Sequence, residues 1–434
     1  MKYDQINTDL FIGNRINYRK LLESNAVAFF NSNDEMPRNG DANFTFRQQS
    51  DIFYLTGIDQ EQSILVICPD HPLPQYREML FLRQTSPTIA VWEGHKYTKE
   101  EAQQVSGIKS IYWLDQFESL LPVIMNHSQV MYLNMNENDR FTSEVPYREL
   151  RFAIDMKERY PSHRVERSAP LMAVLRSVKS AIEIEVMKIA MDITEKAFRR
   201  ILGFIRPGVM EYQIEAEIIH EFLMNKATGH AYSPIVASGG NACVLHYVDN
   251  NLECKDGDVI LMDFGAEYAN YAADLTRCVP VNGKFTQRQK EVYNAVLGVM
   301  RQAIKMLVPG NTIEKYHSEV GVLMEEALIK LGLLNTADVK KQNPSNPLYK
   351  KYFMHGTSHF LGLDVHDIGN KYEPMQEGMV FTCEPGIYIP EENLGIRIEN
   401  DILVTKNGPI DLMASIPVEA EEIEELMQSN LVQS

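Results

Sequence analysis

The sequence predicts an α/β domain over residues 1–178, followed by an α+β domain over 179–434 that carries an internal pseudo-twofold repeat. Three observations support this. A chain of 434 residues exceeds one ordinary core and suffices for two. Short β-rich runs alternate with helical patterns up to about Leu133, the punctuation of an α/β fold. Beyond Lys179 one sequence pattern occurs twice.

In the first domain the β-rich runs are AVAFF from Ala26, DIFYLTG from Asp51, SILVIC from Ser63 and MLFLR from Met79. Helical patterns surround Lys20, Gln103 and Phe117. A polar stretch, RYPSHRVERSAP at 159–170, then precedes a helix whose apolar positions Ile182, Val186, Ile189, Ile193 and Ile201 recur with a period near 3.6. Ser180 is placed to cap that helix, with Glu183 in capping-box spacing, so the boundary falls near Lys179.

The repeat begins where RPGVMEYQIEAEI, with Pro207 and Gly208, finds its counterpart in VPGNTIEKYHSEV, with Pro309 and Gly310. Gly257, Asp263 and Gly265 in GDVILMDFG have the internal spacing of Gly378, Glu384 and Gly386 in GMVFTCEPG. Both segments read as buried strands interrupted by one acid. His246 lies 17 residues before Asp263, and His366 lies 18 before Glu384. The pattern predicts two helix, helix, strand, strand units whose equivalent strands deliver ligands to one central site.

Composition narrows the function classes. A hydrophobic fraction of 44% with 23% charged residues is that of a globular protein. The formal charge of −17 argues against a nucleic-acid groove, which needs clustered Lys and Arg. No run approaches the length of a membrane span, and MKYDQINTDL lacks the features of a signal peptide. Five cysteines (Cys68, Cys243, Cys254, Cys278 and Cys383) without paired spacing read as buried free thiols in a reducing, cytoplasmic setting.

The chemistry lies in the acids. Asp263 follows an apolar run, where an unpaired charge would be several kcal/mol unfavourable, so it is either metal-bound or paired with an arginine such as Arg277 or Arg397. Glu384 repeats the anomaly. Asp274 and Glu399 belong to the following strand of each repeat, and four converging carboxylates would raise one another's pKa values. Two divalent ions resolve that repulsion. The stretch HGTSHFLGLDVHD, 355–367, supplies imidazoles, and spacing leaves His355, His359 and His366 all open as ligands. HExxH, GxSxG, Walker A and GxGxxG patterns are absent, which weakens zincin, serine-hydrolase, NTPase and dinucleotide readings together.

These motifs, with EPGIYIP and GIRIEND, resemble the metal-site signatures of the creatinase-like pita-bread metallopeptidases, in their aminopeptidase P (Xaa-Pro aminopeptidase) branch. FRQQSDIFYLTG at 46–57 and PVNGKFTQRQKEVY at 280–293 extend the likeness over both domains. The resemblance implies a pita-bread catalytic domain and an aminopeptidase P N-terminal domain. It implies that Asp263 holds one Mn(II), that His359 and Glu384 hold the other, and that Asp274 and Glu399 bridge both; Co, Fe or Zn could occupy the same donors. Glu384, His355 and His366 take catalytic roles, Glu384 as proton shuttle. His246 and Arg397 face substrate, though Arg397 could instead form a structural ion pair or orient a bridging carboxylate.

Two further carry-overs are Asp41, toward the substrate entrance, and Trp92, lent to a neighbouring subunit, which implies a homo-oligomer, dimer or tetramer. The expected activity is metal-dependent release of the N-terminal residue from peptides with proline second, by attack of a metal-bridging hydroxide on the Xaa-Pro bond. A prolidase restricted to dipeptides, or a peptide-binding protein on an inactive peptidase scaffold, are the alternatives. The 15 residues from Glu384 to Glu399 make a short loop for this branch, which bears on the pocket rim and so on specificity.

Overall fold

The computed structural model describes residues 2–431 and contains two compact units, Tyr3–Arg176 and a second from Ser177 onward. The first unit is built on a six-stranded sheet in the order Ser110–Trp113, Glu78–Leu82, Ile64–Ile67, Ala26–Asn31, Val130–Leu133, Arg164–Arg167. Its two middle strands are buried along their whole length, as their unbroken apolar runs require. Helices Phe117–Met125 and Arg148–Arg159 close one face, burying Phe117, Leu121, Ile124 and Met156 against Phe29, Val66 and Phe81.

One expectation fails in this unit. DIFYLTG is not a strand but the helix Ser50–Thr56. The Gln49 side chain accepts hydrogen bonds from the Asp51 and Ile52 amides, and Gly57, at φ 69°, ends the helix in the left-handed region. Every residue from Asp51 to Thr56 is buried, so tertiary packing overrides the β-propensity of Ile, Phe and Tyr. The polar stretch 159–170, which precedes the boundary, contributes the edge strand Arg164–Arg167, whose charged side chains suit an exposed sheet edge.

The second unit opens with the helix Ala181–Leu202, and the Ser180–Glu183 capping box forms as expected. Val186, Ile193 and Ile201 are buried, whereas Ile189 is 39% exposed and leaves the predicted stripe. Helix Glu211–Met224 follows, then an antiparallel sheet ordered Ile235–Ser238, Val259–Asp263, Thr276–Pro280. The second copy repeats the sequence with helices Gln287–Ile304 and Ile313–Lys330 and the strands Val380–Cys383 and Asn400–Leu403. The turns before the second helix of each copy match in detail, with Gly208 at φ 90° and Gly310 at φ 87°, a region that glycine enters without strain. Where the first copy has the strand Ile235–Ser238, the second has one bridge, Phe360 to Phe381.

The acids do not interrupt the strands but end and precede them. Asp263 is the last residue of its strand and Glu384 follows the last residue of its own. Asp274 and Glu399 stand just before the paired strands that begin at Thr276 and Asn400. Register sets Asp263 opposite Thr276 and Cys383 opposite Asn400, so each strand pair brings two carboxylates to the same end. The apolar ladder therefore stays dry while its end carries charge.

Candidate metal centre

At that end of the two strand pairs Asp274, His359 and Glu399 each present a ligand atom within 4.8 Å of the others. Glu384 completes the imidazole's surroundings, with Oε1 3.6 Å from His359 Nε2, while Asp274 Oδ2 lies 3.5 Å from the same nitrogen. Asp263 is tied in through Tyr232, whose hydroxyl stands 2.6 Å from Asp263 Oδ1 and 2.5 Å from Asp274 Oδ1. One phenol thus spans the two aspartates. A tight hairpin holds them together: a Cβ on Gly265 would come 1.7 Å from the Ala273 carbonyl oxygen, so only glycine fits there.

Geometry sets His359 apart as the candidate ligand among the three histidines that spacing left open. His359 Nδ1–H donates to the Phe360 carbonyl at 3.0 Å, which fixes the tautomer and leaves Nε2 directed at the acids. His355 is placed differently. Its Nε2 is 2.8 Å from the Tyr388 hydroxyl, and Arg397 Nη1–H donates to that same oxygen at 2.9 Å. The hydroxyl proton is therefore directed to His355 Nε2, and Nδ1–H goes to the Gly356 carbonyl at 2.7 Å. His366 is exposed and stands edge-on to the His359 ring, with centroids 4.4 Å apart. His246 lies on an exposed loop near enough to His355 for their charges to interact, and it has no hydrogen bond among the described residues.

Arg397 is built into the cluster. It donates from Nη2 to Asp263 Oδ2 at 2.6 Å and from Nε to the Thr276 hydroxyl at 3.2 Å, and that hydroxyl donates to Glu399 Oε2 at 2.6 Å. Asp263 therefore has its arginine, as one alternative held, and shares it with the acid centre. Arg277 goes elsewhere, to the carbonyls of Thr276, Glu399 and Pro417 and to Asn400. Asp401 accepts the Asp274 amide at 3.1 Å. Tyr232, Thr276, Tyr388 and Asp401 escaped the sequence reading because hydroxyls and second acids carry no spacing signature; Asp401, two residues past Glu399, is the one that strand alternation could have flagged.

The electrostatics test the fit to cations. Burial raises Asp274, Glu384 and Glu399, and repulsion among the acids adds to it; Glu384 is pushed up to about 7. Burial alone would lower His359, but Asp274 and Glu384 outweigh it and hold the imidazole up at about 9. His355 is lowered to about 4, by burial and then by Arg397. Four carboxylates face one buried guanidinium, an excess of negative charge that divalent cations on oxygen and imidazole donors would balance. The donor set fits them.

In the first unit Asp41 occupies the exposed turn between Pro37–Asn39 and Ala42–Asn43. Trp92 sits on the helix Pro87–Glu93 and is 85% exposed, so it belongs to no core. Of the cysteines, all free, Cys243 is half-buried and the others are buried.

Comparison with known proteins places these features in a lineage. Residues 185–406 match metallopeptidase family M24, and residues 11–132 match the aminopeptidase P N-terminal domain. The chain is 36% identical to the Xaa-Pro aminopeptidase of Haemophilus influenzae over 422 residues, covering 94% of each. It is 35% identical to that of Escherichia coli, again over 94% of each, and 33% identical to human Xaa-Pro aminopeptidase 3, over 91% of this chain and 79% of the human one. Among solved structures, aminopeptidase PepP of Pseudomonas aeruginosa superposes with a TM-score of 0.89 at 31% identity, covering 99% of both. Escherichia coli aminopeptidase P with the inhibitor Pro-Leu superposes with a TM-score of 0.87 at 33% identity, covering 99% of this chain and 100% of the other.

Proposed function

Because the chain belongs to the M24 metallopeptidases of the aminopeptidase P type, and is a metal-dependent Xaa-Pro aminopeptidase, we propose that the acid cluster at the ends of its paired strands is the catalytic centre. The observation that carries the assignment is the convergence of four carboxylates on an imidazole whose other nitrogen is already engaged. Asp263 would hold one ion, His359 and Glu384 the other, and Asp274 and Glu399 both; Mn(II) suits these donors, and Co, Fe or Zn could replace it. When bound, two divalent cations supply Lewis-acid polarisation of the scissile carbonyl and of an attacking water.

The protein's own groups do the rest. Glu384, at the edge of the acid cluster beside His359, is placed to accept a proton from the water and release it to the departing proline nitrogen. His355, neutral near pH 7, gives its Nδ1–H to the Gly356 carbonyl and stands with Nδ1 3.7 Å from Glu384 Oε2, so it lines the site beside that carboxylate without competing for its proton. His246 and His366, both exposed at the site, face the substrate. Arg397, 4% exposed, acts chiefly through Asp263, Thr276 and Tyr388. A proline nitrogen carries no N–H in the substrate, so a pocket that demands no donor there and offers an apolar slot prefers Xaa-Pro bonds.

Residues 1–178 form the N-terminal domain and 179–434 the catalytic one in this reading. The exposed Trp92 would reach the site of a second copy, which makes the enzyme a homo-oligomer, and Asp41 would lie toward the substrate entrance. Among the described residues no helix is long and apolar enough to cross a membrane, and five free cysteines suit a reducing cytoplasm.

Rates on Ala-Pro, Arg-Pro-Pro and Met-Ala-Ser, with Mn(II) and with chelator, test the assignment. The expected result is Mn(II)-dependent cleavage of Arg-Pro-Pro and none of Met-Ala-Ser. Cleavage confined to Ala-Pro would make the enzyme a prolidase; purified protein with no stoichiometric divalent ion and no turnover would leave a peptide-binding scaffold.

A further inference from the structure

Glu211 opens the helix Glu211–Met224, is fully buried, and has no cation in ion-pair reach among the described residues. Its charge is met by donors, and the donors come from one loop. Oε1 accepts from the Ser238 amide at 2.8 Å, the Ser238 hydroxyl at 2.7 Å and Asn241 Nδ2 at 3.4 Å. Oε2 accepts from the Tyr247 hydroxyl at 2.7 Å and the Leu252 amide at 3.0 Å. One oxygen therefore grips the loop where it leaves the strand Ile235–Ser238. The other grips the residue after His246 and the point of return. Backbone pairing of Met210 with Glu253 fastens the return stem, and the turn Gly239–Cys243 rests on the strand that ends in Arg397: a Cβ on Gly395 would lie 2.3 Å from the Ala242 carbonyl oxygen.

We propose that Glu211 is a positioning residue whose two carboxylate oxygens clamp loop 238–252 and so present His246 to the substrate. This rests on His246 being a substrate-binding group. A carboxylate is required because both of its oxygens accept. The isosteric amide would turn an NH2 group toward donors on one side or the other: the Tyr247 or Ser238 hydroxyl can reverse to accept from it, but the Leu252 amide, or the Ser238 amide, is left donor against donor.

The test uses the full-length Mn(II)-loaded enzyme with Arg-Pro-Pro and the variants Glu211→Gln, His246→Ala and the double mutant. Glu211→Gln is expected to lower kcat/KM roughly tenfold or more, as loss of a supporting contact does, and the double mutant to fall no further than His246→Ala alone. Chymotrypsin is expected to cleave after Tyr247 faster in Glu211→Gln than in the parent. Losses that multiply in the double mutant, or unchanged kinetics in Glu211→Gln, overturn the proposal. If His246→Ala turns over normally, the reading of His246 fails, and with it the presentation; the clamp itself then falls if cleavage after Tyr247 is also unchanged. Should Glu211→Gln not fold, Tyr247→Phe keeps the carboxylate and both stems. It must show the same non-additivity with His246→Ala, and multiplying losses there overturn the proposal equally.

Discussion

Replacing Tyr232 with Phe removes one hydroxyl from the middle of the acid cluster and leaves the ring in place. The phenol has one proton and two anionic acceptors, Asp263 Oδ1 at 2.6 Å and Asp274 Oδ1 at 2.5 Å, so it makes one charge-assisted hydrogen bond at a time. Such a bond contributes about 1.5–3 kcal/mol. At about 1.4 kcal/mol per tenfold, its loss corresponds to a weakening of metal binding by roughly 10- to 100-fold, the range typical of residues that orient a ligand. Calorimetric titration of chelator-treated protein with Mn(II) reads this directly, and kcat/KM for Arg-Pro-Pro should fall in parallel. The thermal midpoint should change little, because the freed acceptors can be met by cations. A Mn(II) affinity within twofold of the parent would refute the reasoning, as would a large loss of stability with unchanged affinity.

Other perturbations separate site from scaffold. Glu384→Gln should lower kcat by roughly 10²–10⁴, the range for a lost general base, with the thermal midpoint preserved; near-parental turnover would remove Glu384 from the proton path. Gly265→Ala drives a Cβ to 1.7 Å from the Ala273 carbonyl, so the hairpin bearing Asp263 and Asp274 must open and Mn(II) stoichiometry should drop below that of the parent; retained stoichiometry would show the hairpin to be pliant. Lys179 Nζ pairs with Asp367 at 2.8 Å with both side chains 1% exposed, so Lys179→Met removes the ammonium partner of a buried carboxylate, at a cost of up to about 3–5 kcal/mol in chemical denaturation. A change under 1 kcal/mol would mean that Asp367 finds another partner. Burial raises Glu149 from 4.5 to about 8 in the folded protein. The folded state thus binds the proton more tightly, and the stabilisation is complete below 4.5 and lost as pH rises through about 8, at up to about 1.4 kcal/mol per unit. Glu149→Gln should flatten the fall of the denaturation midpoint between these values, and an unchanged slope would exclude Glu149 as its source.

Much of this was legible because periodic signals are local. The capping box at Ser180 and Glu183 and the matched Pro-Gly turns are fixed by a few neighbouring residues, and they appear as expected. The repeat also gave the acids, since Asp263 and Glu384 end equivalent strands. DIFYLTG was misread for the opposite reason: its helix depends on the Gln49 side chain, the left-handed Gly57 and burial on all sides, none of which a β-propensity reading weighs. Ile189 likewise has the period of its stripe but meets solvent, because only packing decides how wide a helix face is covered.

The sequence by itself determined the two-domain plan, the internal repeat and the residue types of the centre, since each is written in spacing along the chain. Spacing left three histidines equal, and only the resemblance singled out His359. The tertiary structure sets them in different surroundings: His359 gives Nδ1–H to the Phe360 carbonyl and turns Nε2 to the acids, while His355 is engaged by Tyr388 and Gly356. It also joined Arg397 to Asp263, Thr276 to Glu399, and Glu211 to the loop of His246. Hydrogen bonds have direction and reach only about 3 Å; the neighbouring carbonyls of Phe360 and Gly356 fix each Nδ1–H, but what Nε2 then meets, Asp274 for His359 and Tyr388 for His355, is brought from elsewhere in the chain by the fold.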